Sequence, residues 1–582
     1  MSVEEVGEQY FNDLFSRSFF QESREYEMDF IMHDLLNDLA KYVCGDFCST
    51  LKDEESHNRL KMTRHVSFLG NSGNSFKFFE TLYNANRLRT FLPLCMRSNE
   101  GDSKLLMSSI LMQELFSKFK FFRVLSMSGF STENELLDTI GNLKHLRFLD
   151  VSGTNIKKLL DSVCSLYNLQ ILKLMNCKCL EELPLNLYKL TNVRYLNFSK
   201  TKVRRRPMDV GKLKNLQVLS SFYVDKGKLQ KIVNPSDALA ATLKNKVHLV
   251  KLELEWNACS DNSEKEREVL EKLQPSKQLK KLSIRGYGDC ENCVLLPPLG
   301  ILPSLKKLWI TGLSGIVAIG SEFYDNRSIS SSVSPPFTSL EILKFENMEG
   351  WEEWDCKIVT GAFPCLQKLF INDCPYLEEC LPEQLPCLLK LKITNCSQLV
   401  ASVPFAPSIR RLHLSNCGRL HIGYQLSTLR ILRIDEWCMK ESFLEWVGHI
   451  SLETLMIMRS PTMNIPLGCS YNFLEYLDLS SGLLPKTRVL TRLYIRECSN
   501  LEMNLKKLDY EGFCNLSSLE SLCLSNCPNL QCLPVEGLPK SISRLAICGP
   551  SVVKERYMKP KGEEWGKISH IQCLVINDVI IN

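Results

Sequence analysis

Apolar and polar residues alternate in short segments that recur along most of the chain. Residues 146–151 read Leu-Arg-Phe-Leu-Asp-Val, and residues 169–174 read Leu-Gln-Ile-Leu-Lys-Leu. Because successive side chains of a β-strand point to opposite faces, apolar residues at alternate positions build one apolar face. Each segment therefore predicts a short strand with one buried face.

The segments return at a nearly constant interval. The central leucines Leu125, Leu149, Leu172, Leu196 and Leu219 are 24, 23, 24 and 23 residues apart, within the range of about 20–29 that is typical of leucine-rich repeats. Later central leucines are less evenly spaced: Leu252, Leu282, Leu308, Leu343, Leu369, Leu391, Leu412, Leu432, Leu455, Leu477, Leu493, Leu522, Leu545 and Leu574. Residues 64–68 and 88–91 resemble degenerate earlier copies. Since one strand cannot bury its apolar face alone, we predict an α/β solenoid, a leucine-rich-repeat horseshoe with a parallel concave sheet.

The segment after each strand has its own pattern. A cysteine often follows the strand, preceded by asparagine: Asn176-Cys177, Asn395-Cys396, Asn416-Cys417 and Asn526-Cys527. A thiol suits a tight inward turn, and asparagine bonds to the backbone there. Leu-Pro elements at 183–184 and 533–534 favour a 3₁₀ or irregular convex side over a long helix. The Ser/Pro-rich residues 328–336 predict a loop.

The first 60 residues have a different pattern. Residues 4–15 carry apolar side chains at helical spacing, and two short strands are expected at Phe19-Phe20 and 29–32, separated by a polar turn at 23–27. A second helix follows, with these residues on one apolar face: Leu35, Leu36, Leu39, Ala40 and Val43. A helix, a two-stranded wing and a helix indicate a small winged-helix remnant.

Specific motifs in this front segment resemble a known family. Residues 10–21 (Tyr-Phe-Asn-Asp-Leu-Phe-Ser-Arg-Ser-Phe-Phe-Gln) and 30–40 are similar to the end of the NB-ARC module. That module is the nucleotide switch of coiled-coil-type plant disease-resistance proteins. Met32-His33-Asp34 matches the family's Met-His-Asp motif, and Trp351-Glu-Glu-Trp354 and the repeats resemble the same family. The resemblance implies three parts: the winged-helix end of NB-ARC at 1–60, a linker with degenerate repeats at 61–120, and leucine-rich repeats at 121–582.

The resemblance also implies a cofactor. In the family the motif histidine contacts the phosphate of bound ADP, a role that falls on His33, with Asp34 supporting it, in a full-length switch. The alternative is that His33 only packs at a strand–helix junction. The sequence contains no Gly-x-x-x-x-Gly-Lys-Ser/Thr loop, whose amides would surround the phosphates. We therefore expect this chain to be a C-terminal part that binds no cofactor by itself, with ADP or ATP bound by the full-length protein.

Composition and charge narrow the class further. The 582 residues carry a net charge of +5, which does not by itself suggest nucleic acid. Residues 1–60 hold five basic and fourteen acidic residues, or −9, and the remainder therefore carries +14. The acidic N-terminus is unlike a signal peptide. The sequence has no uninterrupted apolar run of about 18 residues, so we expect no membrane span. We expect reduced cysteines and a location in the cytoplasm, or in the cytoplasm and the nucleus.

Cations are concentrated on the predicted concave face. Between Lys281 and Arg411, eight basic residues and one acidic residue, Glu346, occupy strand positions beside the leucines. With two aromatic side chains among them, they form the predicted partner-binding set: Lys281, Arg285, Lys307, Trp309, Lys344, Lys368, Phe370, Lys390, Lys392 and Arg411. Arginine and aromatic side chains are typical anchors of protein interfaces. The alternative is a solvated strand face without a partner.

No catalytic or metal motif stands out. The sequence has no His-Glu-x-x-His and no Gly-x-Ser-x-Gly, and Cys290-x-x-Cys293 lacks a second pair at zinc spacing. We therefore expect no enzyme activity. The resemblance implies a plant immune receptor fragment that recognises pathogen effectors or effector-modified host proteins and restrains the NB-ARC switch. The alternative is a substrate adaptor of a ubiquitin ligase, but an F-box usually opens with Leu-Pro, and no proline precedes Pro93.

Overall fold

The fold is given by a computed structural model. It describes residues 3–22, 30–52, 60–69, 82, 85–93, 105–107, 109–128, 130–132, 138–203, 212–224, 246–256, 276–286, 296–324, 335–355, 361–378, 381–418, 420–421, 426–435, 447, 450–458, 471–479, 487–496, 516–526, 538–548, 566, 568–576 and 579–580. The chain divides into two compact units, Met1–Ser221 and Phe222–Asn582. Cys290 and Cys293, residues 328–334, Cys527 and residues 533–534 lie outside the described residues.

The first unit opens with the predicted helix–wing–helix arrangement. Helix α1 spans Val3–Ser16, the antiparallel strands span Phe20–Glu22 and Phe30–Met32, and helix α2 spans Asp34–Cys44. Phe11 packs on Phe20 and Phe30 with ring centroids 5.3 and 4.8 Å apart, which joins α1 to the wing. The apolar face of α2 is not buried: Leu35 and Val43 are both 74% exposed.

A parallel ladder follows in the first unit. Its strands are Cys48–Lys52, His65–Leu69, Thr90–Pro93, Val124–Ser126, Phe148–Asp150, Ile171–Lys173, Tyr195–Asn197 and Val218–Val224. The two degenerate copies belong to this ladder, because Val66 pairs with Phe91, and Phe91 pairs with Leu125. The ladder begins at Cys48, ahead of residue 60. Helix α3, Ser109–Lys118, and the paired strands Leu105–Met107 and Phe130–Thr132 lie between its members.

The second unit contains a longer parallel ladder. Its strands are Lys251–Trp256, Lys281–Arg285, Lys307–Thr311, Ile342–Glu346, Lys368–Asn372, Lys390–Cys396, Arg411–Cys417, Ile431–Asp435, Thr454–Met458, Tyr476–Leu479, Arg492–Arg496, Ser521–Ser525, Arg544–Cys548 and Cys573–Ile576. Val579–Ile580 closes the ladder as an antiparallel strand. Short parallel pairs join Ala318–Ile319 to Glu353–Trp354 and Ala401–Ser402 to Leu420–His421.

The central leucines form the core, as their alternation predicts. Every one from Leu125 to Leu574 is at most 3% exposed, and within each unit each pairs in register with the next. Leu391, for example, lies between Leu369 and Leu412. Full burial of a leucine side chain contributes about 1.5–3 kcal/mol. The stacked strands confirm the leucine-rich-repeat solenoid.

The turn after the strand explains the Asn-Cys pattern. Asn176, Asn395, Asn416 and Asn526 all have positive φ, between 48° and 63°, a conformation that asparagine tolerates better than most residues. The buried thiols of Cys177, Cys396 and Cys417, which follow three of these asparagines, bond to the backbone. Cys417 donates to the carbonyl oxygen of Ile393, with 3.2 Å between sulfur and oxygen. All described cysteines are free thiols.

The helical segments between the strands of the main sheet are short 3₁₀ turns, as the proline pattern predicts. The 3₁₀ helices are Gly45–Phe47, Leu60–Met62, Asp138–Asn142, Asp161–Ser165, Leu185–Lys189 and Ser321–Phe323. Pro184 directly precedes one of them. Asparagine amides also tie the repeats together before the strands: Asn168 and Asn192 donate to the carbonyl oxygens of Lys144 and Tyr167, both at 2.8 Å.

An aromatic cluster fills the second unit beside the Leu343 strand. Trp351 and Trp354 are fully buried, with ring centroids 5.7 Å apart. Around them pack Phe323, Tyr324, Phe337, Phe345 and Phe363. Gly350 leads into the cluster, and a Cβ there would collide with the carbonyl oxygen of Ser314. The Trp-Glu-Glu-Trp segment is therefore a packing element of the solenoid.

Candidate partner-binding face of the sheet

Adjacent strands of the second unit align at up to five consecutive positions. In the Leu391 strand these are Lys390, Leu391, Lys392, Ile393 and Thr394, and the second and fourth are fully buried. The first, third and fifth positions are half-buried and lie on the opposite face. Side chains at equal positions of adjacent strands are about 4.7–4.9 Å apart, so each position forms a row across the sheet.

Cations dominate the first-position row. The register pairs Lys281 with Lys307, and across the Ile342 strand it continues to Lys368, Lys390 and Arg411. Only Ile342 interrupts the sequence of basic side chains. Like charges at this spacing repel one another, so this row favours an anionic partner.

Aromatic and basic side chains alternate in the third-position row. Trp309 pairs with Lys344, Lys344 with Phe370, Phe370 with Lys392, and Lys392 with His413. Trp309 and Phe370 are half-buried rather than open. This row therefore combines flat apolar surface, which is enriched in protein interfaces, with positive charge.

The eight cations are called the basic stripe here: Lys281, Arg285, Lys307, Lys344, Lys368, Lys390, Lys392 and Arg411. Some have partners within the sheet. Lys344 forms a 2.8 Å ion pair with Glu346, and Lys390 lies 5.3 Å from the ring centroid of Phe370. In the part of the chain that the structure describes, no carboxylate lies within 4.0 Å of Lys307, Lys368 or Lys392. The structure thus brings the predicted residues together on one face, where basic side chains outnumber the described acidic ones.

Two acidic residues on this face are buried, and their carboxylates bond to neighbouring groups of the protein. Asp435 is 1% exposed and accepts hydrogen bonds from the backbone N–H of Asn416 at 2.6 Å and the hydroxyl of Ser415 at 2.9 Å. Asp478 is also buried and lies 3.3 Å from Arg496. Neither carboxylate therefore neutralises the stripe. Lys251 and Glu253, at its border, form a 2.6 Å ion pair.

Comparison with known proteins places the chain. A model of the leucine-rich repeat region matches residues 103–422, and a model of the disease-resistance protein winged helix domain matches residues 1–40. The chain is 32% identical, over 570 residues, to the disease-resistance RPP13-like protein 1 of Arabidopsis thaliana. The match covers 87% of this chain and 50% of that protein.

The chain belongs to the plant leucine-rich-repeat disease-resistance proteins. A second disease-resistance protein of Arabidopsis thaliana is 37% identical over 441 residues, 66% of this chain and 30% of that protein. Disease-resistance protein RGA1 of Solanum bulbocastanum is 26% identical over 422 residues, 64% of this chain and 38% of that protein. The disease-resistance chain thus spans half or less of the length of these relatives.

The motif histidine of this disease-resistance chain caps a helix. His33 precedes α2, and its Nδ1 accepts a hydrogen bond from the backbone N–H of Leu35 at 3.2 Å. Asp34 opens the helix, where a carboxylate is favourable. Both side chains are exposed. Capping uses one ring nitrogen, and a lone imidazole with one carboxylate does not supply the amide cradle that a nucleotide phosphate needs.

The described residues contain neither a membrane-spanning helix nor a metal-binding cluster. Among the helices that the structure describes, none has the length and apolarity to cross a membrane. Within the same described part of the chain, no three His, Cys, Asp or Glu side chains are grouped to hold a metal ion.

Proposed function

We propose that this chain is the recognition part of an intracellular plant immune receptor. Its repeats bind a pathogen effector, or a host protein that an effector has modified, and restrain the NB-ARC switch of the full-length protein. The basic stripe supports the proposal, because its cations lie in register on one face together with the aromatic side chains of Trp309 and Phe370. The chain acts as a binding protein, not an enzyme, and its partners are proteins.

The stripe would act mainly through electrostatic attraction. Attraction between exposed charges is screened over about 8–10 Å at ordinary salt. Long-range positive charge therefore raises the association rate and selects acidic surfaces, with a smaller effect on final affinity. Trp309 and Phe370 would supply the apolar contacts that persist once the partner has docked.

Nucleotide binding is assigned to the longer protein. The relatives are at least twice as long as the matched part, and a complete phosphate site requires residues beyond His33 and Asp34. In that protein, ADP or ATP would supply the phosphate charge that distinguishes the two states of the switch. In this chain, the Leu35 amide holds the histidine at the start of α2.

Charge reversal on the stripe tests the proposal. In the full-length protein expressed in leaves, Lys368, Lys390, Lys392 and Arg411 are all changed to Glu. The matched control changes the exposed lysines Lys157, Lys178, Lys189 and Lys214 of the first unit, with the same change in net charge. We expect the stripe variant alone to lose elicitor recognition or to become autoactive. Normal recognition and normal restraint in a folded stripe variant would show that the stripe is only a solvated face.

A further inference from the structure

A second set of cations lies in the first unit, before the strands. Arg64, Arg89, Arg123 and Arg147 each directly precede a strand of the parallel ladder. Their backbones are bonded in sequence: the N–H of Arg89 donates to Arg64, that of Arg123 to Arg89, and that of Arg147 to Arg123, all at 2.8 Å. The four arginines are therefore one strand spacing apart, about 4.7–4.9 Å.

Further cations flank this row. The four segments 61–65, 86–90, 120–124 and 144–148 together contain eight Lys and Arg residues, two His and no acid. We call the eight cations the arginine edge: Lys61, Arg64, Arg87, Arg89, Lys120, Arg123, Lys144 and Arg147. The row is interrupted at the next strand, which is preceded by Gln170, and a single arginine, Arg194, precedes the strand after it. This concentration is local to four repeats and is not a property of the whole unit.

The side chains of the four arginines are at least partly accessible to solvent. Arg123 and Arg147 are exposed, and Arg64 and Arg89 are half-buried. Among the residues that the structure describes, none of the four arginines has a carboxylate within 4.0 Å. Arg64 lies over the ring of Phe47, 4.9 Å from its centroid. Arginines carried by adjacent strands repel one another and would be stabilised by an external anion.

The field of the edge is felt by a neighbouring imidazole. Partial burial lowers the pKa of His65 below its usual value, and the charges of Arg89 and Arg64 lower it further. The neutral ring shares a 2.9 Å hydrogen bond with the hydroxyl of Thr90. His65 therefore adds no positive charge at neutral pH and leaves the arginines as the recognising groups.

Exposed apolar side chains interrupt the basic surface. Phe121, next to Arg123, is 58% exposed, and its ring is stacked against His145 with 6.0 Å between centroids. Met62 is 46% exposed. A ligand for this edge therefore needs anionic groups at short, regular spacing and an apolar side. An α-helix has both, since side chains three or four residues apart are about 5–6 Å apart on one face.

We propose that the arginine edge docks an acidic amphipathic α-helix of a partner protein. Its carboxylates, at every third or fourth residue, pair with Arg64, Arg89, Arg123 and Arg147. Its adjacent apolar stripe covers Phe121 and Met62. Single-stranded nucleic acid fits less well, because binding it uses successive aromatic platforms, and within the four described segments Phe121 is the one exposed Phe, Tyr or Trp. The surface is separate from the basic stripe and does not depend on the proposed function.

Binding of a synthetic helix to the full chain tests this inference. The probe is a fluorescent 18-residue peptide with Glu at successive i, i+4 positions and an adjacent leucine stripe (about five turns). We expect measurable anisotropy binding at low salt that weakens as salt rises. The double variant Arg123→Glu, Arg147→Glu should bind at least about tenfold more weakly, and Phe121→Ser should weaken binding independently. The control Lys157→Glu, Lys178→Glu changes two exposed lysines outside both surfaces, carries the same charge change and should bind like the parent.

Several results would overturn the proposal. The first is that the patterned peptide does not bind. The second and third are that a peptide of the same composition with scattered Glu residues, or an oligothymidine strand, binds equally well. The fourth is that the arginine variant binds the patterned peptide as the parent does. If that variant loses its circular dichroism signature, Arg123→Gln, Arg147→Gln removes the charge without reversing it, and retained affinity in this variant overturns the proposal equally.

Discussion

Trp354 donates a hydrogen bond from its indole Nε1 to the hydroxyl oxygen of Tyr324, 3.0 Å away and thirty residues earlier in the chain. Both side chains are buried. The bond therefore joins two neighbouring repeats inside the aromatic cluster of the second unit. An indole N–H in such a place needs an acceptor, because burial without one is costly.

Removing the acceptor should destabilise the second unit. Tyr324→Phe keeps the ring but leaves Nε1 of Trp354 unsatisfied, at a cost of about 1–3 kcal/mol. Trp354→Phe removes the donor together with part of the ring volume. The double variant should lose less free energy of unfolding than the sum of the losses in the two single variants. Urea unfolding of the parent, the two single variants and the double variant measures this difference. Strictly additive losses would show that the hydrogen bond contributes nothing.

The central leucines should be far more sensitive than the neighbouring surface positions. Leu391→Ala and Leu412→Ala each remove a fully buried side chain and should each cost about 2–5 kcal/mol through lost burial and a cavity. Lys392→Ala, one residue from Leu391 on the opposite face, should change stability by less than about 0.5 kcal/mol. Denaturant unfolding monitored by circular dichroism distinguishes the two outcomes. Equal effects at Leu391 and Lys392 would contradict the strand assignment.

A buried lysine should weaken the fold at neutral pH. Lys246 is 4% exposed, and burial lowers its pKa from 10.5 to about 8. Between these values the unfolded chain holds a proton that the folded chain has released, so this residue makes stability rise as pH increases from 8 towards 10.5. The melting temperature of Lys246→Met relative to that of the parent should therefore be higher at pH 7 than at pH 10. Exposed Lys277→Met is the control, and an equal shift at both pH values would contradict the buried charge.

The free thiols should react with different rates. Burial raises the pKa of Cys164 and of Cys523 to about 11, so at pH 8 few of these groups are thiolates, the reactive form. Exposed Cys365 and Cys387 should be alkylated first under native conditions. Labelling of the two raised thiols should accelerate as pH approaches 11, as read by mass spectrometry of digests. Early modification of Cys164 in the folded protein would contradict its placement.

The chain by itself should not bind nucleotide. His33 and Asp34 are exposed and supply one free ring nitrogen and one carboxylate, without the amide cradle that phosphates require. Titration calorimetry with ADP and with ATP should give no heat of binding for the parent or for His33→Ala. Micromolar affinity in the parent that His33→Ala abolishes would show that the front segment holds a nucleotide site.

The repeat pattern predicts the core because burial on one strand face leaves a period of two in the sequence. Leu391 and Leu412 were identified in this way, and the front helices and wing strands were placed to within about two residues. The burial of Asp435 has no signal in its own strand, because its partner, the amide of Asn416, comes from a neighbouring repeat. The pattern groups Leu35 with the apolar face of α2, and in the described structure this side chain is exposed. The arginine edge has a local signal, an arginine directly before a strand with a lysine three residues earlier in three of the four segments, which an analysis of the strands alone overlooks.

The in-register pairing of central leucines has a consequence for how such a chain can evolve. Each repeat contacts its neighbours through the same leucine-to-leucine junction, as Leu369, Leu391 and Leu412 illustrate. An unequal crossover that deletes or duplicates one repeat therefore restores an identical junction, and the core is conserved. The outer rows meanwhile gain or lose one side chain and shift every later one by a strand. A single recombination event can thus produce a new recognition surface on an unchanged scaffold.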